Sequence, residues 1–68
     1  MREIPITTDE IRLGQLLKLA GIVEQGSDAR VLLAGGGVMV NGESETRRGR
    51  RVRPGDEVTV EGQSVRVV

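Results

Sequence analysis

The sequence predicts an α+β fold in which two short helices pack on one side of a small twisted antiparallel sheet. Three observations carry that expectation. Apolar residues recur with helical spacing in two stretches between Leu13 and Leu33, and they alternate with period two from Val38 onward. Glycine marks the end of each helical stretch, at Gly21 and at Gly35 to Gly37. Helices followed by a run of short strands place the helices together against one face of a sheet.

The elements follow in order. In "EIPI", Ile4 and Ile6 alternate around Pro5, which lacks an N–H and is tolerated mainly at a sheet edge, so an edge strand is expected there. Leu13, Leu16, Leu17 and Ala20 stand at i, i+3, i+4 and i+7, one apolar face of a helix that Gly21 stops. Arg12, Gln15 and Leu19 fall on another face, with Lys18 at its margin. Thr7-x-x-Glu10 also fits a capping box with Ile6 and Ile11 as its staple, which leaves the start of this helix open. "SDARVLLAGGG" reads as the second helix, with Ser27 as N-cap, Asp28 in the first turn, and Ala29, Leu32 and Leu33 buried. Arg30 stays outside.

Beyond Gly37 the period becomes two. Val38 and Val40 lead to Asn41-Gly42, a hairpin signal because both residues accept positive φ. Pro54-Gly55 suits the centre of a type II turn, Val58 and Val60 alternate, Glu61-Gly62 turns again, and Val65 and Val67 alternate to the end.

Composition limits the chemistry. A chain of 68 residues is expected to be one domain, residues 1–68, with a modest core and little room for an enclosed pocket. It has no Cys and no His, so thiol nucleophiles, imidazole catalysis and most zinc sites are removed. No cofactor is expected. No apolar run approaches the roughly 20 residues that span a bilayer, and "MREIPITTDE" lacks the apolar stretch of a signal peptide. The expectation is a whole, monomeric, cytoplasmic chain without a membrane partner. There is no aromatic residue, hence no ring on which a base could stack.

Against a formal net charge of zero, five arginines fall within the seven residues from Arg47 to Arg53. Glu43, Glu45, Asp56 and Glu57 flank them, which makes a local patch rather than a generally adhesive surface. Arginine outnumbers lysine nine to one, and its planar donors match phosphate oxygens in pairs. The plain alternative is a solvated, salt-bridged loop.

"RLGQLLKLAG", "GSDARVLLAGGGVMVNGE", "ETRRGR" and "RPGDEV", in that order, resemble the S4 RNA-binding domain, and most closely its small stand-alone bacterial members. The resemblance spans roughly residues 11–60. It implies an αL-type RNA-binding fold, with structured RNA lying against the helices and the loop that follows. Carried onto this chain, the implied RNA contacts are Arg12, Gln15 and Lys18 on the first helix and Ser27 and Arg30 on the second. Asn41 at the turn and the loop arginines Arg47, Arg48, Arg50 and Arg51 complete the set. Stand-alone members imply ribosomal RNA or tRNA, and a ribosomal particle, as partners. Many S4 domains carry an acidic residue where Gly14 stands, whereas the stand-alone branch has glycine there.

Other functions find less support in the residues. Gly35-Gly36-Gly37 lacks the Gly-Lys-Ser/Thr of a P-loop, and Asp9-Glu10 and Asp56-Glu57 are adjacent pairs with no visible catalytic partner, so no enzyme is expected. The strand segments also resemble β-grasp sulfur carriers, but Val67-Val68 stands where those carriers end in Gly-Gly. The remaining alternative is a non-catalytic assembly module that sets its arginines against an acidic protein.

Overall fold

The computed structural model describes residues 1–68, and in it the alternating valines form the inner face of a sheet. The chain runs β1 (Arg2–Ile4), β2 (Ile11–Arg12), α1 (Leu13–Leu19), α2 (Gly26–Ala34), β3 (Val38–Val40), β4 (Glu43–Ser44), β5 (Arg51–Val52), β6 (Glu57–Val60) and β7 (Gln63–Val67). This is the expected α+β arrangement. Five strands join in the order β1-β7-β6-β3-β4, while β2 and β5 form a separate two-stranded ladder.

Register follows from the period of two. Val38 pairs with Val60 and Val40 with Val58, while Val58 also pairs with Val65, so every valine in these strands faces the helices. The outer face carries polar cross-strand pairs: Glu57 with Arg66 at 3.0 Å, and Thr59 with Ser64 at 2.9 Å. The sheet departs from pure antiparallel pairing at one edge. β1 runs parallel to β7, with Ile4 opposite Val67; both helices and the other five strands lie between them in the chain, so no hairpin constrains the pair to be antiparallel. Pro5 directly follows this edge strand, where its missing N–H breaks no ladder bond.

Leu13, Leu16, Leu17 and Ala20 of the first helical stretch and Ala29 and Leu33 of α2 close the other side of a 15-residue apolar core. Leu32 is only partly buried. Both helices end in the same way. In α1 the Gly21 N–H donates to the Lys18 carbonyl and the Ile22 N–H to Leu17, with Gly21 at φ 74°. In α2 the Gly36 N–H donates to Leu33 and the Gly37 N–H to Leu32, with Gly36 at φ 79°. These are Schellman ends, which satisfy carbonyls the helix leaves unpaired.

The helix starts differ from the sequence expectation. Thr7 to Glu10 form no helix cap; the Thr8 hydroxyl donates to the Glu10 carbonyl, and α1 begins only after the β2 ladder. Ser27 is not the N-cap of α2. Gln25 holds that place and its N–H donates to the Asp28 carboxylate at 3.3 Å, so the cap lies two residues earlier.

Candidate nucleic-acid interface

The arginine-rich segment is fixed against the start of α1 by main-chain bonds. Ile11 pairs with Val52 and Arg12 with Arg51 in the β2–β5 ladder. The ladder then passes into the helix: the Leu13 N–H donates to the Arg50 carbonyl at 2.8 Å and the Gly14 N–H to the Arg48 carbonyl at 3.0 Å. Arg12, the N-cap of α1, supplies no side-chain cap, so loop carbonyls take up N–H groups that a helix start leaves open. A Cβ on Gly14 would stand 2.5 Å from Cγ of Arg48, a distance real contacts do not show. Glycine therefore lets Arg48 lie directly across the helix.

This packing leaves a cleft of about 320 Å³ lined by Arg12, Gly14, Gln15, Lys18, Gly26, Arg48 and Gly49. Three cations, one carboxamide and three glycines face it, with no hydrophobic side chain and no carboxylate. A smaller concavity of about 170 Å³ adjoins it, sharing Arg12 and Gln15 and adding Glu10, Ile11 and Arg51. Together they form one polar, mostly cationic track over the start of α1. Such a surface suits a phosphodiester backbone, since guanidinium and ammonium groups position phosphates while glycines allow close approach.

Carboxylates divide the five loop arginines into three groups. Arg47 and Arg50 are bound to Glu45, at 3.1 Å and 3.2 Å. Glu45 is buried at 6% exposure, and it also accepts the Thr46 and Arg47 N–H groups, each at 2.9 Å. The Arg47 side chain, then its N–H, lower the Glu45 pKa to about 2 against the opposing effect of burial, with Arg50 adding to the shift. The same bond raises the pKa of the Arg47 guanidinium. Arg51 and Arg53 lie 3.7 Å from Glu10, ion pairs too long to be good hydrogen bonds. Arg48 has no carboxylate partner, and it is the arginine that lines the cleft.

The other residues expected to contact RNA are more dispersed. Ser27 is exposed on the first turn of α2, next to Gly26 of the cleft wall. Arg30 is exposed four residues beyond Gly26, one turn further along the same face. Asn41 lies outside the cleft at the β3–β4 turn. Its side chain donates to Asp56 at 3.1 Å and accepts the Glu57 N–H at 2.9 Å, tying two turns together. Gly14, Gly26, Glu10 and Glu45 are parts of the interface that the sequence alone does not place among the RNA contacts. An acid two residues before an arginine run was the available signal for Glu45.

Comparison with known proteins places the fold in a family. Residues 4–68 match the family model of the S4 domain. The chain is 46% identical over 59 residues to the "Probable ribosome maturation protein RlbA" of Bacillus subtilis, covering 87% of this chain and 83% of that protein. It is 41% identical over 58 residues to YbcJ of Escherichia coli, covering 85% and 83%. The solution structure of YbcJ, described as revealing a motif involved in RNA binding, superimposes with a TM-score of 0.76 at 36% identity over 100% of this chain and 87% of that one. The 30S ribosomal protein S4e of Thermoplasma acidophilum gives a TM-score of 0.69 at 26% identity, over 91% of this chain and 33% of that chain.

Proposed function

The chain belongs to the S4 domain family, and from that premise we propose that it is an RNA-binding module for structured ribosomal RNA or tRNA, acting on a ribosomal particle in the cytoplasm. The observation that carries the reading is the cleft in which Arg12, Lys18 and Arg48 converge beside Gln15 with no carboxylate on its walls. Arg48 and Arg12 take phosphates at its centre, Lys18 and Arg30 extend the track toward α2, and Arg51 extends it toward β5. Arg47 and Arg50 flank Arg48 tied to Glu45 and leave their remaining donors to the RNA, Ser27 adds a hydroxyl at the α2 end, and Asn41 holds the turn that supports the sheet. With no aromatic side chain in the sequence, recognition rests on the shape of the folded backbone rather than on stacked single-stranded bases.

The names of the Bacillus subtilis relative and the 30S protein support the ribosomal assignment. Residues 1–68 work as one module, as a monomer, and the role is binding without catalysis: guanidinium, ammonium and carboxamide groups line the cleft, and none is placed as a nucleophile beside a base. No helix is long and apolar enough to cross a membrane. Crosslinking in cells followed by sequencing of the bound RNA tests the proposal. Enrichment of ribosomal RNA or tRNA is expected, whereas nuclease-resistant capture of an acidic protein without RNA would favour the assembly module.

A further inference from the structure

Glu45 poses a problem for a surface that binds a polyanion. It is the single buried charged side chain, its main-chain N–H is tied to the Val38 carbonyl of β3 at 3.0 Å, and it carries negative charge into the arginine loop. Simple electrostatics makes it a liability, because neutralising it raises the net charge by one and should tighten every RNA contact.

We infer that Glu45 is a positioning residue for RNA recognition, a buried carboxylate that fixes the shape of the arginine loop so that Arg48 is delivered to the cleft. The inference rests on the RNA-binding reading. Its warrant is the number and kind of bonds that meet at one side chain. Oε2 accepts the Thr46 and Arg47 N–H groups and the Arg47 Nε, while Oε1 accepts the Arg47 and Arg50 guanidinium nitrogens. Main chain and side chains of the loop are thus anchored to the sheet through one group. On its far side the same loop gives its Arg48 and Arg50 carbonyls to α1, which sets Arg48 across Gly14. Held at both ends, the loop does not have to order itself when RNA arrives, and that saving in entropy favours the matching RNA. A placeholder that phosphate displaces would need an accessible carboxylate. The Glu45 side chain is 7% exposed, whereas its partner Arg47 is 75% exposed and keeps donors free for phosphate.

The test compares wild type, Glu45→Gln and Glu45→Asp in filter-binding titrations against ribosomal RNA transcripts, bulk tRNA and a short duplex of random sequence, with thermal unfolding followed alongside. Glu45→Gln adds net positive charge, and Glu45→Asp keeps the charge but shortens the reach. Both should lose about tenfold in preference for the folded RNA while binding the random duplex as well as wild type or better. Equal or tighter binding of the folded RNA by either variant overturns the inference. In wild type, the NMR signal of the Arg47 Nε–H should persist on adding RNA, and its loss would show displacement of Glu45 and overturn the inference whether or not the variants fold. A wild type with no preference for any folded RNA would instead remove the RNA-binding reading itself.

Discussion

The side chain of Arg48 crosses α1 at Gly14, where a Cβ would come within 2.5 Å of its Cγ. Replacing Gly14 by Ala keeps every charge and improves helix propensity by about 1 kcal/mol. The folded state should therefore lose little stability, although Arg48 must move. RNA affinity should fall roughly 10- to 100-fold, the value of a charge-assisted hydrogen bond at about 1.5–3 kcal/mol. In a double-mutant cycle the Gly14→Ala and Arg48→Ala effects should not add. Additive losses would show that position 14 acts by another route.

The division of the arginines by their carboxylates predicts unequal effects within one run of sequence. Arg48→Ala should weaken RNA binding most, Arg51→Ala less, and Arg53→Ala least, because Arg53 lines neither concavity. Loss of the 3.7 Å pairs to Glu10 should leave stability almost unchanged, since exposed pairs contribute about 0–1 kcal/mol. Arg48→Lys should recover the salt dependence but not the affinity, because an ammonium lacks the paired donors of guanidinium. Titrations of the single variants check the order, and equal losses at all three positions would return the loop to undirected charge.

Charge and core should separate cleanly on the two helices. Arg12→Ala, Lys18→Ala and Arg30→Ala remove exposed side chains and should each shift stability by less than about 0.5 kcal/mol while reducing RNA binding. Leu17→Ala empties a fully buried site and should cost roughly 2 to 5 kcal/mol, a large fraction of the stability of so small a domain. Chemical denaturation of the four variants tells the two classes apart.

Acid should loosen the fold through two carboxylates. Glu45 is lowered from its ordinary 4.5 to about 2 by Arg47 and Arg50. Burial works against the Asp56 carboxylate, but the Arg53 N–H, the Asn41 amide and the charges of Arg50 and Arg53 outweigh it and hold it below its ordinary value. For both groups the unfolded chain binds the proton more readily, so their contribution is full above about pH 5 and is lost as pH falls toward 2. The thermal midpoint should be level from neutral pH to about 5 and then decline, and Glu45→Gln should flatten part of that decline. A midpoint constant down to pH 3 would show that these bonds contribute nothing to folding.

Much of this fold was legible because its signals are local. The period-two valines, the Asn41-Gly42 and Glu61-Gly62 turns at φ 52° and 49°, and both glycine-ended helices stand where side-chain spacing and turn chemistry put them. What escaped were features that depend on distant pairing. The two-residue strands β2 and β5 have no periodicity of their own and exist because Ile11 pairs with Val52, forty-one residues away in sequence. The parallel β1–β7 edge likewise depends on where the chain returns. In the cleft, a row of arginines read along the sequence looks uniform, and only the positions of Glu45 and Glu10 in space divide it. The shifted cap of α2 shows the same limit at short range: Ser27 is the better cap residue by type, but it stands next to Asp28, whereas Gln25 stands three residues before that acid and closes the box.

Salt dependence tests the central claim most directly. Wild type and the Arg12→Ala/Lys18→Ala/Arg48→Ala variant should be titrated with the ribosomal RNA or tRNA recovered by crosslinking over a range of monovalent salt. If the cleft neutralises RNA phosphates, the wild-type plot of log affinity against log salt should have a slope of roughly −3 to −5, and the variant should be shallower by about 2 to 3. A wild-type slope near zero, or an unchanged slope in the variant, would contradict the assignment of the cleft as the phosphate-binding site.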